Sequence, residues 1–394
     1  MIPSKSHFFF FIIVLFSTLQ GFYFHSLGVA PFTLLSVLMV FVTFSLFKSY
    51  DVISNISINE LFVFLFYSLI FFFSVIAVLY HGDEPDLKRI LAFFVVLIFS
   101  FLLPPLLKFI DLELVLKFTL IFHFSYFYLQ FILYYIFGLD LDIVGFFTGI
   151  SQKGWGGSFY IEGIGHIRRL GGLFNEPGTY STFIAPLTAF FLNFYTKSSS
   201  NKIVVYLSLL SLFLTLSTFG FLFAVFISIF IVVFFKGKEI FFVTFVVSLS
   251  FILTVPYLIY RFFVRREDGL DTGLGFREVF LKELYVFTSD SIYNFLLGTG
   301  MLQPDLTDKV NLIASVNDSS LLLALMLNSG VFLTSFFFIF VILYTILKKD
   351  LISLLVFFIL FASKVSIFYV FFPLILSLIF FDKRKSSFFY NKRF

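Results

Sequence analysis

The sequence predicts an all-α, polytopic integral membrane protein: a single membrane domain over residues 1–394, with about twelve transmembrane helices and two large loops on one face. Three observations lead there. Hydrophobic residues make up 60% of the chain and charged residues only 13%, whereas a soluble domain carries about 25% charged residues, a shortfall that a large core does not explain. Mean hydropathy is +1.05. Apolar runs of roughly 20 residues, the length that crosses about 30 Å of hydrocarbon, follow one another along nearly the whole chain. Phenylalanine supplies 70 residues, so the apolar filler is aromatic bulk.

The runs fall at residues 8–24, 29–47, 61–80, 90–107, 114–137, 179–195, 203–217, 220–235, 240–260, 319–347, 351–362 and 366–381. Only Ser217-Thr218-Phe219-Gly220 interrupts the stretch from Ile203 to Phe235, and only Ser363-Lys364 interrupts the last one, so each reads either as two spans or as one bent helix. The first run lacks a small-residue cleavage site and leads straight into another span, which predicts an uncleaved anchor. With twelve spans, Lys5, Lys48, Lys197, Lys202, Lys236, Lys238, Lys348, Lys349 and the tail Lys383-Arg384-Lys385 all land on one side. The positive-inside bias makes that side cytoplasmic, with both termini there. The opposite side receives the loop with Arg89, a first large loop over 138–178 and a second over 261–318.

Several function classes drop out at this level. There is no cysteine, hence no disulfide, thiolate nucleophile or Cys-based metal site. A net charge of +4 is too small to point to nucleic acid. No cytoplasmic loop has room for a nucleotide-binding domain, and Leu297-Gly298-Thr299-Gly300 is a lone Gly-x-Gly that reads as a turn. His25, His81, His123 and His166 have no metal-ligand spacing, and His123, inside an apolar run, is expected to make an interhelical hydrogen bond. Asp140-Leu-Asp142 is spelled like a metal-binding Asp-x-Asp, but its apolar flanks argue against a metal. Lys364 in the last run marks an outer turn.

Seven of the nine arginines (Arg89, Arg168, Arg169, Arg261, Arg265, Arg266 and Arg277) fall in the three outer loops. Arginine on that side runs against the positive-inside bias, so a cluster there needs a reason such as an anionic substrate. The first large loop holds the only tryptophan, Trp155, and then His166 and Arg168-Arg169-Leu-Gly171-Gly172-Leu-Phe-Asn175-Glu176-Pro177-Gly178. The glycines permit tight turns and close approach of backbone N–H groups to a ligand. Pro177 fits the first turn of the following helix, which places Glu176 at its positive end, as a cap or as a reacting carboxylate. In the second loop, Gly-Phe-Arg277-Glu-Val-Phe-Leu-Lys-Glu-Leu has helical spacing, with Phe276, Val279, Phe280 and Leu284 on one side, and reads as an amphipathic surface helix. Asp318 precedes the next span and is equally placed to cap it.

These residues resemble the polytopic O-antigen polymerase and ligase superfamily of the Wzy kind. Arg168 to Gly178 looks like its Arg-x-x-Gly-x-Phe-x-Glu-Pro loop, and Gly298-x-Gly300, Asn317-Asp318 and Leu321–Gly330 look like the end of its second large loop and the helix after it. About a dozen residues carry the match. The ligase branch would have a histidine near 317–318, where this chain has Asn317-Asp318, and that departure favours a polymerase. The resemblance implies a bacterial inner-membrane enzyme with periplasmic large loops and no metal or other cofactor. It would join undecaprenyl-diphosphate-linked oligosaccharides, as donor and acceptor, among membrane lipids and with a chain-length regulator protein as partner. Arg168, Arg169, Arg265, Arg266 and Arg277 would bind diphosphate, since guanidinium forks match phosphate oxygens. Glu176, or else Asp318, would be the base, and Gly171, Gly172, Asn175 and Pro177 would shape the loop. The rival readings are a ligase that moves the glycan to lipid A core and a flippase that changes only its side.

Overall fold

The computed structural model describes residues 5–19, 31–46, 58–82, 84–149, 152, 158–161, 165–235, 244, 248, 272–302 and 320–381. The expected span 240–260 lies outside the described residues apart from Thr244 and Ser248, both helical. Elsewhere the apolar runs are helices: α1 (Lys5–Thr18), α2 (Pro31–Leu46), α3 (Ile58–His81), α4 (Leu87–Leu106) and α5 (Leu112–Phe137). The first large loop carries a short helix, α6 (Ile143–Thr148), and a hairpin, β1 (Ser158–Ile161) with β2 (Gly165–Arg168). Then come α7 (Pro177–Phe191), α8 (Ser199–Leu214), α9 (Thr218–Phe234), α10 (Thr272–Asp290) and α11 (Ile292–Leu297). The last four are α12 (Leu321–Ser329), α13 (Val331–Leu347), α14 (Leu351–Ala362) and α15 (Phe371–Phe380).

Among the described residues, three helices are long and apolar enough to cross a membrane, over Leu61–His81, Leu87–Phe109 and Leu112–Phe137. The other apolar helices singled out have 10 to 17 residues. The two ambiguous stretches resolve as pairs. The α8 and α9 helices are separated at Thr215 to Ser217, where Leu216 takes φ 52°. The connection of residues 363–370, which holds Lys364, separates α14 from α15. The expected single span 319–347 is instead broken into α12 and α13 at Gly330, whose φ of 81° ends one helix and begins the next. An unbroken apolar sequence hides that break, because only Ser329-Gly330 marks it.

The chain divides into two compact units, Thr18–Phe24 with Leu112–Leu270, and Met1–Ser17, His25–Asp111 and Asp271–Phe394. In the first, α7 packs against α5, α8 and α9, and α8 against α5 and α9. Every residue of α7 from Tyr180 to Phe191 is buried, which makes it the axis of this unit. The His123 ring bonds Thr18 Oγ1 across 2.7 Å, the interhelical hydrogen bond its position predicts.

The other unit centres on α3, α4 and α15, with α2 against α4 and α14 against α15. Its core is aromatic: Phe66 stacks on Phe337 at 3.6 Å between centroids, both rings buried. Phe280 and Leu284 of α10 are buried together with Leu327, so the amphipathic spacing finds a protein face. The Gly298-Thr299-Gly300 segment is a turn, as its sequence predicts. Thr299 N and Gly300 N donate to Leu327 O at 2.9 Å and Asn328 O at 3.0 Å, closing carbonyls that the broken helix leaves open.

Candidate functional site

The first large loop starts where α5 ends. Gly138, at φ 69°, turns the chain out of the helix, and its N–H closes on Tyr134 O at 3.1 Å. Asp142 then starts α6: its Oδ1 accepts from Gly145 N at 2.7 Å and its Oδ2 from Gln152 N at 2.8 Å. Asp140, two residues earlier, pairs with Arg168 Nη1. The two carboxylates of the Asp-x-Asp therefore serve a helix cap and an ion pair, and among the described residues no cluster of metal-ligating side chains occurs.

Arg168 ends β2, where it is paired in register with Ser158. Tyr135, in the last turn of α5, holds its backbone twice: the phenol donates to Arg168 O at 2.6 Å and accepts from Arg168 N at 3.2 Å. The guanidinium lies over the Tyr134 ring, 5.3 Å from its centroid. Its side chain is 3% exposed against 29% for Asp140, and Nη2 has no hydrogen-bond partner among the described residues. A buried guanidinium nitrogen without a partner is costly unless something completes it.

The rest of the motif is folded inward by two glutamine amides. Gln130, inside α5, donates to Leu141 O at 2.8 Å and Gln152 Oε1 at 2.7 Å and accepts from Gly172 N at 3.0 Å. Gln152 donates to Gly172 O at 2.7 Å and Phe174 O at 2.6 Å. Both side chains are buried: Gln152 spends both donors on the turn, and Gln130 accepts from it while its own donors hold Leu141 and Gln152. Gly172 needs its φ of 58°, and a Cβ on Gly171 would lie 2.6 Å from Phe174 O and 3.0 Å from the Glu176 carbonyl carbon. Phe174, fully buried, stacks on His123 and Phe183 and meets Tyr180 edge-on. An aromatic plug thus seats the polar loop on α5 and α7.

Glu176 stands at the N-cap of α7 with extended backbone (φ −128°, ψ 147°), followed by Pro177 at the first helical position. Its carboxylate makes no capping hydrogen bond to the helix, although it sits at the positive end of the backbone dipoles. Asn175 Oδ1 is a second buried polar atom in this turn without a hydrogen-bond partner among the described residues. Arg169 is partly buried.

The structure thus brings Arg168, Gly171, Gly172, Asn175, Glu176 and Pro177 into one compact turn. Arg265, Arg266, Asp318, Asn317, Arg261 and Trp155 lie outside the described residues, and Arg277 and His166 are placed by backbone alone, in α10 and β2. Sequence reasoning missed Tyr135, Gln130 and Gln152 and assigned Asp140 no role. The signal available for Gln130 was a lone amide inside an apolar run, which at that depth needs a partner.

No family model, curated protein or solved structure matches this chain.

Proposed function

We propose that this chain is a membrane glycosyltransferase that polymerises undecaprenyl-diphosphate-linked oligosaccharide repeat units at the periplasmic face of a bacterial inner membrane, with about twelve spans. One observation carries the reading. A buried arginine with an uncompleted nitrogen, Arg168, belongs to the same turn as a helix-end carboxylate that does not cap, Glu176. The helix of spanning length that leads into this loop, Leu112–Phe137, belongs with a lipid-borne substrate.

The chemistry fits these groups. The acceptor sugar hydroxyl attacks the donor's anomeric carbon, forming the new C–O bond as the C–O bond to diphosphate breaks. The electron pair leaves with undecaprenyl diphosphate, and Glu176 takes the hydroxyl proton. Diphosphate departs without a strong acid, so the need is for donors aimed at the developing negative charge, and a guanidinium supplies them. No nucleotide is required because the donor's diphosphate bond supplies the driving force.

A transporter reading has one observation in its favour, the helix interrupted at Gly330, since broken helices often mark transport sites. There, however, the freed carbonyls of Leu327 and Asn328 already accept from Thr299 and Gly300, so they are not open to an ion.

The test is reconstitution in lipid with only undecaprenyl-diphosphate-linked repeat units. A ladder of longer chains is expected, with Arg168→Lys and Glu176→Gln each lowering its rate by about 100-fold in folded protein. Asp318→Asn alongside Glu176→Gln decides between the two candidate bases. No ladder with the right repeat unit would leave a ligase, read by transfer to a second acceptor, or a transporter, read by a change of side alone.

A further inference from the structure

We infer that Asp140 is a displaceable counter-ion: it occupies Arg168 until a polyanionic phosphate group takes its place, and so sets how much charge a ligand needs in order to bind. This rests on the reading of Arg168 as a phosphate contact.

Three features separate such a placeholder from a structural tie. The first is redundancy. Tyr135 already fixes the Arg168 backbone through both its N–H and its carbonyl, so the strand end keeps its place when the ion pair opens. The Tyr134 ring lies against the guanidinium and holds it from the other side.

The second is incompleteness. A guanidinium and a carboxylate that serve only to bind each other meet fork to fork, with two parallel hydrogen bonds. Here the ion pair runs from Nη1 to Asp140 Oδ1, and among the described residues the buried Nη2 has no partner. The unused half of the fork offers a second hydrogen bond to a ligand with oxygens on both sides, as a diphosphate has.

The third is asymmetry of exposure. Arg168 is 3% exposed and Asp140 29%, so an anion arriving from outside meets the carboxylate first. Asp140 repels it and at the same time satisfies the charge that it seeks. The neighbouring Asp142 is held by the α6 cap and by Gln152 N and does not face Arg168 as its partner.

A monoanion gains little by replacing one carboxylate with another singly charged group. A diphosphate brings more charge and fills Nη2 as well. After transfer, the returning carboxylate competes with the departing diphosphate and speeds its release.

The experiment uses the full chain in lipid nanodiscs and measures binding of inorganic pyrophosphate and of inorganic phosphate by calorimetry at fixed ionic strength. With Asp140→Asn, pyrophosphate is expected to bind roughly tenfold tighter, and the preference for pyrophosphate over phosphate to shrink. Unchanged or weaker pyrophosphate binding in folded Asp140→Asn would overturn the inference, because a structural tie loses affinity when it is cut. Arg168→Lys supplies a second arm should the first variant misfold. It keeps a charge for Asp140 but lacks the fork, and is expected to bind pyrophosphate roughly tenfold more weakly than the native protein; equal binding would sink the proposal. Because these readouts need no glycan transfer, a protein that makes no ladder but shows both shifts would retain the anion site and lose only the polymerase reading.

Discussion

Two interruptions of helical order, one in each unit, are built in opposite ways. At the Gly298-Thr299-Gly300 turn, backbone closes backbone: two N–H groups meet the last carbonyls of α12, and Gly330 supplies the left-handed geometry at the break. At the Arg168 to Pro177 turn, side chains close backbone: Gln130 and Gln152 satisfy Gly172 and Phe174, and a buried charge is held with part of its bonding capacity open. In the first, backbone N–H groups meet the open carbonyls, although among the described residues the Ser329 hydroxyl beside the break has no hydrogen-bond partner. The second depends on specific side chains and keeps a donor in reserve. Interruption alone therefore does not mark a site in this protein; what distinguishes the 168–177 turn is that the group left with an open donor is a buried charge, Arg168.

Substitutions sharpen that contrast. The largest effect is expected at Gly330→Ala, where a Cβ would collide with Leu296 O in a conformation that L-residues rarely adopt. Stability should fall by about 3 kcal/mol or more, read as a lower thermal midpoint in detergent, with activity per folded molecule unchanged. A Gly330→Ala protein of native stability would contradict the backbone-on-backbone account. Glu176→Gln should do the reverse, leaving the midpoint close to native while the rate drops by about 100-fold.

Between these lies Gln152→Ala, which strips partners from two backbone carbonyls and from Gln130. About 2 kcal/mol of stability should be lost, and proteolysis should reach the 168–177 turn before any other part of this unit. Equal protection in native and variant protein would show that the aromatic plug of Phe174 holds the turn unaided.

The smallest effect concerns Glu283 in α10, whose buried Oε2 has no hydrogen-bond partner among the described residues and whose carboxyl is pushed above its usual range by burial. The folded state then holds the proton more tightly than the unfolded one. Its contribution to stability is thus greatest below the unfolded carboxyl range and fades as pH rises through the raised folded value. Glu283→Gln should flatten the fall of the thermal midpoint between acid and neutral pH by a small margin; an identical pH profile in both proteins would refute it.

Local chemistry was readable in the chain and non-local chemistry was not. Pro177 at the first helical position, the Phe280 and Leu284 stripe and the Gly298 turn each depend on residues within a few positions of one another, and each appears where the spacing puts it. The Gln130 to Gln152 clamp joins residues 22 apart, and Tyr135 and Arg168 are 33 apart. No periodicity announces either pairing. The Asp140-Leu-Asp142 spelling did not make a metal site, as its apolar flanks predicted; its carboxylates serve an ion pair and a helix cap, roles the spelling shares with metal motifs. The Gly330 break was masked by unbroken hydropathy, which reports the solvent of a segment and not its backbone path.

The burial of α7 has a consequence for how the protein meets its bilayer. Its 15 residues reach about 22 Å at 1.5 Å per residue, short of a hydrocarbon layer of about 30 Å. A helix in contact with lipid answers such a mismatch by tilting or by thinning the membrane. With α5, α8 and α9 around it, α7 is insulated from that demand. The position of Glu176 is then set by the helices packed around α7 rather than by α7's own length.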